Sequence, residues 1–378
     1  NHIAIGLDDE LSDWERPFAI EPKMADGTEA DMHHWDPDCF RVGDTYYAIS
    51  GGQNSPIFKS TDLKEWRYLG DFLAHDLPDV ALGEDISCPN FFPLSGPLGD
   101  QWMLLCISHP FGCRYYLGDW DAEREQFVPR SHGRMNWRRP EQSIYETEYR
   151  DFFAPESLLT PDGRRVMWAW LATLDEAINQ RTIQCLPREL RLADDGTLRM
   201  RPLRELKTLR FEPVTLQNLR VSPPEQAHGG QARRRIVDLD GDSYEIKITV
   251  DAREAARKRF GFQLFADEDN EGLPIMVHPE TGLLRVGTTE APFAVTDLAE
   301  NEAVELRIFV DKYLVEVFVN ERQATVNAYM DYQAASGLIA YAFGAPITIK
   351  RVDIWRLKAT NQGFFDARDS QIWAPDTA

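Results

Sequence analysis

From Ile3 to about Leu192 the apolar residues come in short runs, alternating or wholly apolar, each bounded by Gly, Pro or Asp. Runs of this length and period predict β-strands at Tyr46–Ser50, Ile57–Ser60, Trp102–Ile107, Tyr115–Gly118, Val166–Leu171 and Arg188–Leu192. No long segment with a helical period intervenes, so an all-β fold is expected. An acid, a leucine, two polar residues and a tryptophan form Glu10-Leu11-Ser12-Asp13-Trp14. The pattern returns 52 positions later as Asp62-Leu63-Lys64-Glu65-Trp66, and more loosely from Trp120-Asp121 to Phe127. Four short strands per repeat of about 50 residues is the pattern of a β-propeller blade. Innermost strands are expected to begin near Asp36, Ser87 and Phe153, and Trp14 and Trp66 are expected to be structural. The count is three blades and a trailing strand at residues 3–7. A propeller closes with about four blades or more. The expectation is therefore ~90 or more further residues upstream, or an N-terminal fragment or partner chain that completes the ring.

From about Leu206 the pattern changes. Residues 206–228 read as a linker between a first domain at 1–205 and a second at 229–358. The second carries strands at Tyr244–Val250, Phe260–Phe265, Leu283–Gly287, Glu305–Val310, Leu314–Asn320, Gly337–Tyr341 and Ile347–Trp355, the pattern of a two-sheet β-sandwich. It gathers no cluster of acids with aromatics, so it is expected to support the first domain without supplying catalytic groups. Residues 359–378 form a polar tail.

With 378 residues, 43% of them hydrophobic, the chain is long enough for two cores. A formal net charge of −21 argues against nucleic-acid or anionic-membrane partners and suits a small neutral sugar. No apolar run approaches a membrane span, and a soluble chain is expected. Cys39, Cys88, Cys106, Cys113 and Cys185 are odd in number and scattered, which reads as reduced thiols and leans towards a cytoplasmic location. The eight histidines include His33-His34 but no HExxH pattern, so neither metal nor cofactor is expected.

The richest chemistry lies in Glu84-Asp85-Ile86-Ser87-Cys88-Pro89-Asn90-Phe91-Phe92-Pro93-Leu94, where two carboxylates, a hydroxyl and a thiol lead into an apolar strand. Acids at the mouth of a buried strand are costly unless they are paired or used. Similar stretches flank it. Trp35-Asp36-Pro37 resembles the Arg-Asp-Pro motif of glycoside hydrolase family 32, the β-fructosidases, and Ser87-Cys88-Pro89-Asn90 resembles that family's Glu-Cys-Pro-Asp. Asp151-Phe152-Phe153-Ala154-Pro155 and Leu186-Pro187-Arg188-Glu189-Leu190 are similar to two further motifs of the family. Leu306–Asp311 and Val315–Asn320 are similar to its characteristic sandwich strands.

The resemblance implies a five-bladed β-propeller followed by a β-sandwich, with the first blade and most of the second absent from this chain. It also implies retaining hydrolysis or transfer of β-D-fructofuranosides, in which two carboxylates stand about 5 Å apart astride the scissile bond. The nucleophile's motif belongs to the first blade. Asp36 matches the carboxylate that stabilises the transition state by holding two hydroxyls of the furanose. At the acid/base position the family's glutamate is replaced by Ser87, whose hydroxyl cannot supply a proton near neutral pH. Asp85, two residues earlier on the same strand face, is the expected acid, with Glu84 and Glu156 as alternatives. His34, Trp35, Phe92, Arg150, Trp170, Gln180 and Arg181 are expected to meet the sugar, with Ser87, Cys88 and Asp151 from the matched motifs. Two other functions fit the same residues: a propeller that binds carbohydrate without acid catalysis, and a glycosidase for a different furanose.

Overall fold

The computed structural model describes residues 1–32, 35–81, 83–109, 111–136, 149–173, 182–223, 230–329 and 331–359; the side chains of 149–151, 172–173 and 182–183 are not described. His34, Gln180, Arg181 and residues 360–378 lie outside the described residues. The chain divides into two compact units, Asn1–Met200 and Arg201–Ala378. Both are built almost wholly of antiparallel strands. The helices among the described residues are one four-residue turn, Ala252–Ala255, and two 3-10 turns.

The first unit opens on a hairpin of His2–Gly6 and Trp14–Ala19, where a single trailing strand was expected. Three meanders follow. The first runs Asp38–Val42, Thr45–Ile49, Pro56–Ser60, Arg67–Asp71, and the second Ser87–Leu94, Gln101–Ser108, Gly112–Asp121, Gln126–Arg134. The third runs Tyr149–Leu159, Arg165–Thr173, Arg188–Leu192, Leu198–Pro202, with Thr182–Gln184 as an extra strand on Arg165–Thr173.

The recurring Leu-x-x-Trp pattern has one cause. Leu11 and Leu63 take left-handed conformations (φ 55° and 64°), and each following indole N–H donates to that leucine's carbonyl, at 2.7 Å from Trp14 and 3.2 Å from Trp66. Trp66 is buried edge-on against Phe58. Trp14 keeps the turn but is half exposed, since its hairpin has only two strands.

Aromatic rings join the first two meanders. Phe91 stacks on Trp102 at 4.7 Å and meets Phe40 edge-on at 4.8 Å, within a cluster that takes in Tyr47, Phe72 and Phe127. Such pairs contribute about 1 kcal/mol each beyond their buried area. This core holds the first strands of the two meanders, Asp38–Val42 and Ser87–Leu94, in place.

The second unit is a sandwich of two six-stranded sheets. One is ordered Arg210–Val221, Ile347–Leu357, Ser243–Val250, Val304–Asp311, Leu314–Val319, Gln323–Ala328; the other is ordered Gln231–Asp238, Gly337–Phe343, Phe260–Ala266, Leu273–His278, Leu283–Val286, Thr289–Pro292. Ile246, Ile248, Phe260, Phe262, Ile308 and Val317 are fully buried between them. The expected linker at 206–228 needs correction, because Arg210–Val221 is an edge strand paired along Ile347–Leu357. Its solvent face is polar, and Pro213 sits at a bulge beside Glu212 (φ 46°), an arrangement that edge strands tolerate. Glu245 is wholly buried in the same sheet and bridges Arg210 (2.5 Å) and Arg307 (2.7 Å). Burial works against its charge, but the two guanidiniums hold its carboxyl below the usual range.

Candidate active site

The strand Ser87–Leu94 lies between Asp38–Val42 and Tyr149–Leu159, so the mouths of the three meanders stand side by side. At each mouth the backbone is bent. Asp36, Cys88, Phe152 and Ala154 all have positive φ (43°, 45°, 61° and 44°), and the ladders slip between Ser87 and Asn90 and twice between Arg150 and Glu156. Non-glycine residues held in this region store strain of order 1–3 kcal/mol each. Bulges of this kind re-aim side chains at the ends of strands.

The bends bring carboxylates together. The backbone N–H of Cys88 donates to Asp36 at 3.1 Å, and its thiol lies 3.6 Å from the same oxygen. One residue earlier, the Ser87 hydroxyl donates to Asp85 at 3.2 Å, which agrees with the expected shared face. His109, in the turn after Gln101–Ser108, gives Asp85 two more bonds: the ring Nδ1 at 2.5 Å and the backbone N–H at 3.3 Å. Burial pushes the Cys88 thiol up to about 12, helped by the charges of Asp36, Glu156 and Asp85. Cys88 is therefore a thiol and not a nucleophile at neutral pH.

A second group was not foreseen. Asp38 accepts the backbone N–H groups of Phe91 (2.6 Å) and Cys39 (2.9 Å), tying the first two meanders together at their mouths. Little of its side chain's surroundings is water, and this burial raises its carboxyl to about 6 against the opposing pull of those bonds and of Arg165. Glu156 is also raised, by burial first and then by the charge of Asp38. By surface area Glu156 is exposed. The direction of its shift stands because Asp38 acts on it as well. Arg165 lies over the Phe92 ring at 4.0 Å and reaches Ser157, whose hydroxyl donates to Asn90 and links the second and third meanders.

Trp35 is half exposed and rests on Gly51 and Gly52; a Cβ on Gly51 would stand 2.6 Å from the indole. One indole face thus packs on bare backbone, a close approach that needs glycine, and half of the side chain stays open for a sugar. Trp170 is partly buried against Phe153 at 5.3 Å, and Phe153 faces His109 at 6.4 Å, forming a short aromatic track beside Asp85.

Three expected contacts need correction. Glu84 is not a rim acid, because its side chain is 6% exposed and pairs with the buried Arg114 at 2.7 Å. It lines a separate cleft of about 230 Å³ with Asn54, His75 and Tyr116. Phe92 is 3% exposed, and Arg165 covers its ring, so it offers no stacking face. Ser87 is equally buried, and its hydroxyl is used by Asp85 instead of a sugar. Asp85, the expected acid, accepts the Ser87 hydroxyl and the His109 backbone N–H and is bonded to the His109 ring. Arg150 and Asp151 sit in the strand Tyr149–Leu159, and their side chains are not described.

His109 and Asp38 escaped the sequence reading. The register Ser87↔Ile107 sets residue 109 opposite residue 85, so the predicted strand 102–107 already carried a signal for His109. Among the described residues no group of three or more His, Cys, Asp or Glu gathers in metal-binding geometry.

Comparison with known proteins agrees with this picture. A raffinose invertase of Escherichia coli is 27% identical over 362 residues, covering 87% of this chain and 68% of its own. A probable sucrose-6-phosphate hydrolase of Psychromonas ingrahamii is 27% identical, covering 82% and 54%, and a levanase of Bacillus subtilis is 26% identical, covering 82% and 48%. The chain thus spans about half to two-thirds of the length of these relatives. Among solved structures, fructan 1-exohydrolase IIa from Cichorium intybus superposes with a TM-score of 0.69 at 17% identity, covering 93% of this chain and 76% of its own. Sucrose-6-phosphate hydrolase from Lactobacillus gasseri superposes with a TM-score of 0.67 at 20% identity, covering 93% and 71%. The model of the glycosyl hydrolases family 32 N-terminal domain matches residues 3–202, and that of the family 32 C-terminal domain matches 205–356. The chain belongs to glycosyl hydrolase family 32.

Proposed function

We propose that this chain carries the active centre of a retaining glycosidase acting on β-D-fructofuranosides, at the cluster around Cys88. In this reading the meanders are blades of a five-bladed propeller, their innermost strands line its axis, and the sandwich is a supporting domain. The observation that carries the proposal is Asp36 held by the Cys88 N–H at a strained strand mouth, with Asp85 bonded to Ser87 one residue earlier and Glu156 on the adjoining strand Tyr149–Leu159. Relatives named as acting on sucrose 6-phosphate, raffinose and levan share a fructosyl group as substrate class.

Asp36 binds Cys88 N–H through Oδ2, and its carboxylate holds furanose hydroxyls through charge-assisted bonds that tighten as positive charge develops at the anomeric carbon. Trp35 and Trp170 supply apolar faces for the ring carbons. Burial and the charge of Asp38 raise Glu156.

The test is Asp36→Asn in the complete protein, assayed on sucrose and a fructan. Turnover should fall by at least about a thousandfold with the circular dichroism spectrum unchanged. Unchanged turnover removes Asp36 from the chemistry. One observation favours a second reading, a carbohydrate-binding propeller: Ser87 is buried where the family's proton donor is expected. That reading takes over if the wild-type protein binds fructosides, loses binding on Trp35→Ala, and turns over neither fructofuranosides nor arabinofuranosides.

A further inference from the structure

We propose that His109 is the proton donor of this site and that Asp85 is its positioning residue, an assignment that rests on the fructosidase reading above. Ser87 ends at a hydroxyl 3.5 Å from the His109 ring. A side chain longer than serine at position 87 would run towards the space that Asp85 and the imidazole fill. The histidine is fixed twice, since both its ring Nδ1 and its backbone N–H donate to the same oxygen of Asp85. Phe111 N–H donates to the Ser108 carbonyl at 2.9 Å, across the turn that carries His109. The His109 side chain is 42% exposed, whereas that of Asp85 is 17% exposed, so the imidazole is the outer member of the pair. With Nδ1 engaged by Asp85, a proton for transfer is carried on Nε2.

In the step this supports, imidazolium Nε2–H gives its proton to the glycosidic oxygen as the bond from that oxygen to the anomeric carbon breaks. The bonding pair stays on the oxygen, which departs as an alcohol, and a carboxylate nucleophile closes on the anomeric carbon with its own pair. The neutral imidazole then takes a proton from the water that releases the fructosyl group. A carboxylate bonded to one ring nitrogen orients the imidazole, as in other acid–base pairs.

Six charged or titratable groups stand at the imidazole or on the elements beside it. Asp85 and Cys88 belong to the adjoining strand mouth, Asp36 to the preceding meander, and Glu156 to the following one; the Glu84–Arg114 pair lies behind. Glu156 is the rival donor. It lies on the neighbouring meander and is raised by burial first and then by the charge of Asp38.

The experiment compares His109→Asn, Asp85→Asn and Glu156→Gln in the complete protein, using sucrose and a nitrophenyl β-fructofuranoside. An activated aryl group needs little protonation. His109→Asn should therefore lower kcat on sucrose by about a hundredfold or more, and on the aryl fructoside by less than about tenfold. Imidazole added to His109→Gly should restore part of the sucrose activity. Asp85→Asn should lower kcat on sucrose more than on the aryl fructoside, in the same direction as His109→Asn, because the ring loses the carboxylate that orients it. A downfield imidazole N–H proton resonance, present in the wild type, should vanish in both His109→Asn and Asp85→Asn whatever the activity. Turnover with His109→Asn at wild-type rates, equal loss on both substrates, or the selective loss appearing in Glu156→Gln would overturn the assignment alone. Absence of fructoside turnover in the wild-type protein would overturn the fructosidase reading, and the catalytic role of His109 with it.

Discussion

Asp38 offers the most direct measurement of what this site does to stability. Its carboxyl rises from an ordinary 3.8 to about 6 because the folded chain takes it out of water. Raising an acid in the native state means that the native state binds more protons than the unfolded chain between those two values. Stability is therefore lost as pH rises through about 4 to 6, and the penalty is fully present above about 6. The two values differ by about two pH units, which sets a ceiling of about 3 kcal/mol at pH 8. Partial exposure of Asp38 screens some of this, leaving roughly 2 kcal/mol between pH 4 and pH 8. Asp38→Asn removes the titration while the amide oxygen keeps the bond from Phe91 N–H. The variant should therefore gain on the wild type as pH rises, by that roughly 2 kcal/mol over the interval. Urea unfolding followed by tryptophan fluorescence reads the right unit, since eight of the ten tryptophans precede residue 200. If the difference between variant and wild type changes by less than about 0.5 kcal/mol across that range, Asp38 does not carry a buried, disfavoured charge, and the cause given for its shift is wrong.

Two further expectations concern other parts of the chain. Glu245→Gln leaves two guanidiniums facing each other without their shared carboxylate and should destabilise the second unit by about 3 kcal/mol in chemical denaturation followed by far-ultraviolet circular dichroism. A loss below about 1 kcal/mol would mean that Arg210 and Arg307 find other partners. Trp35→Ala should raise KM for fructosides about tenfold, with kcat within about twofold and stability nearly unchanged, since half of the side chain is already exposed. Equal KM values would place Trp35 outside the substrate's reach.

Much of the fold was legible because burial on one or both faces imposes a period. The strands Tyr46–Ser50, Trp102–Ile107, Tyr244–Val250 and Leu314–Asn320 each overlap an observed strand nearly end to end. The strands that escaped are those with one face in water or with little length. Arg210–Val221 and Gln231–Asp238 are edge strands whose outward residues are charged or polar, and Leu273–His278 is interrupted by Pro274. An edge strand is held by a ladder on one side only, and its sequence carries correspondingly little of the apolar signal.

The site was legible to a different depth. Adjacent acids and matched motifs pointed to Asp36, Asp85 and Glu156, and alternation correctly put Asp85 on the face of Ser87. Alternation could not show what Asp85 holds, because its partner lies 24 positions further on, in a turn. Nor could it separate Glu84 from Asp85, neighbours in sequence whose side chains go to a buried arginine and to the histidine. At Asp36 the positive φ breaks the alternation, so Asp38 could not be assigned to the same face by counting residues. The parts that counting missed are those created by bends and by strand register, and the chemistry of the cluster depends on them. An acid/base glutamate at position 87 would need one residue; a serine there needs Asp85, two residues before the strand, and His109, in the turn across the hairpin, positions set by the single pairing of Ser87 with Ile107. A shift of that register by one residue would separate Asp85 from His109 and turn the strand's apolar side chains out of the aromatic core. The packing of Phe91 on Trp102 therefore protects both the fold and the proposed proton donor.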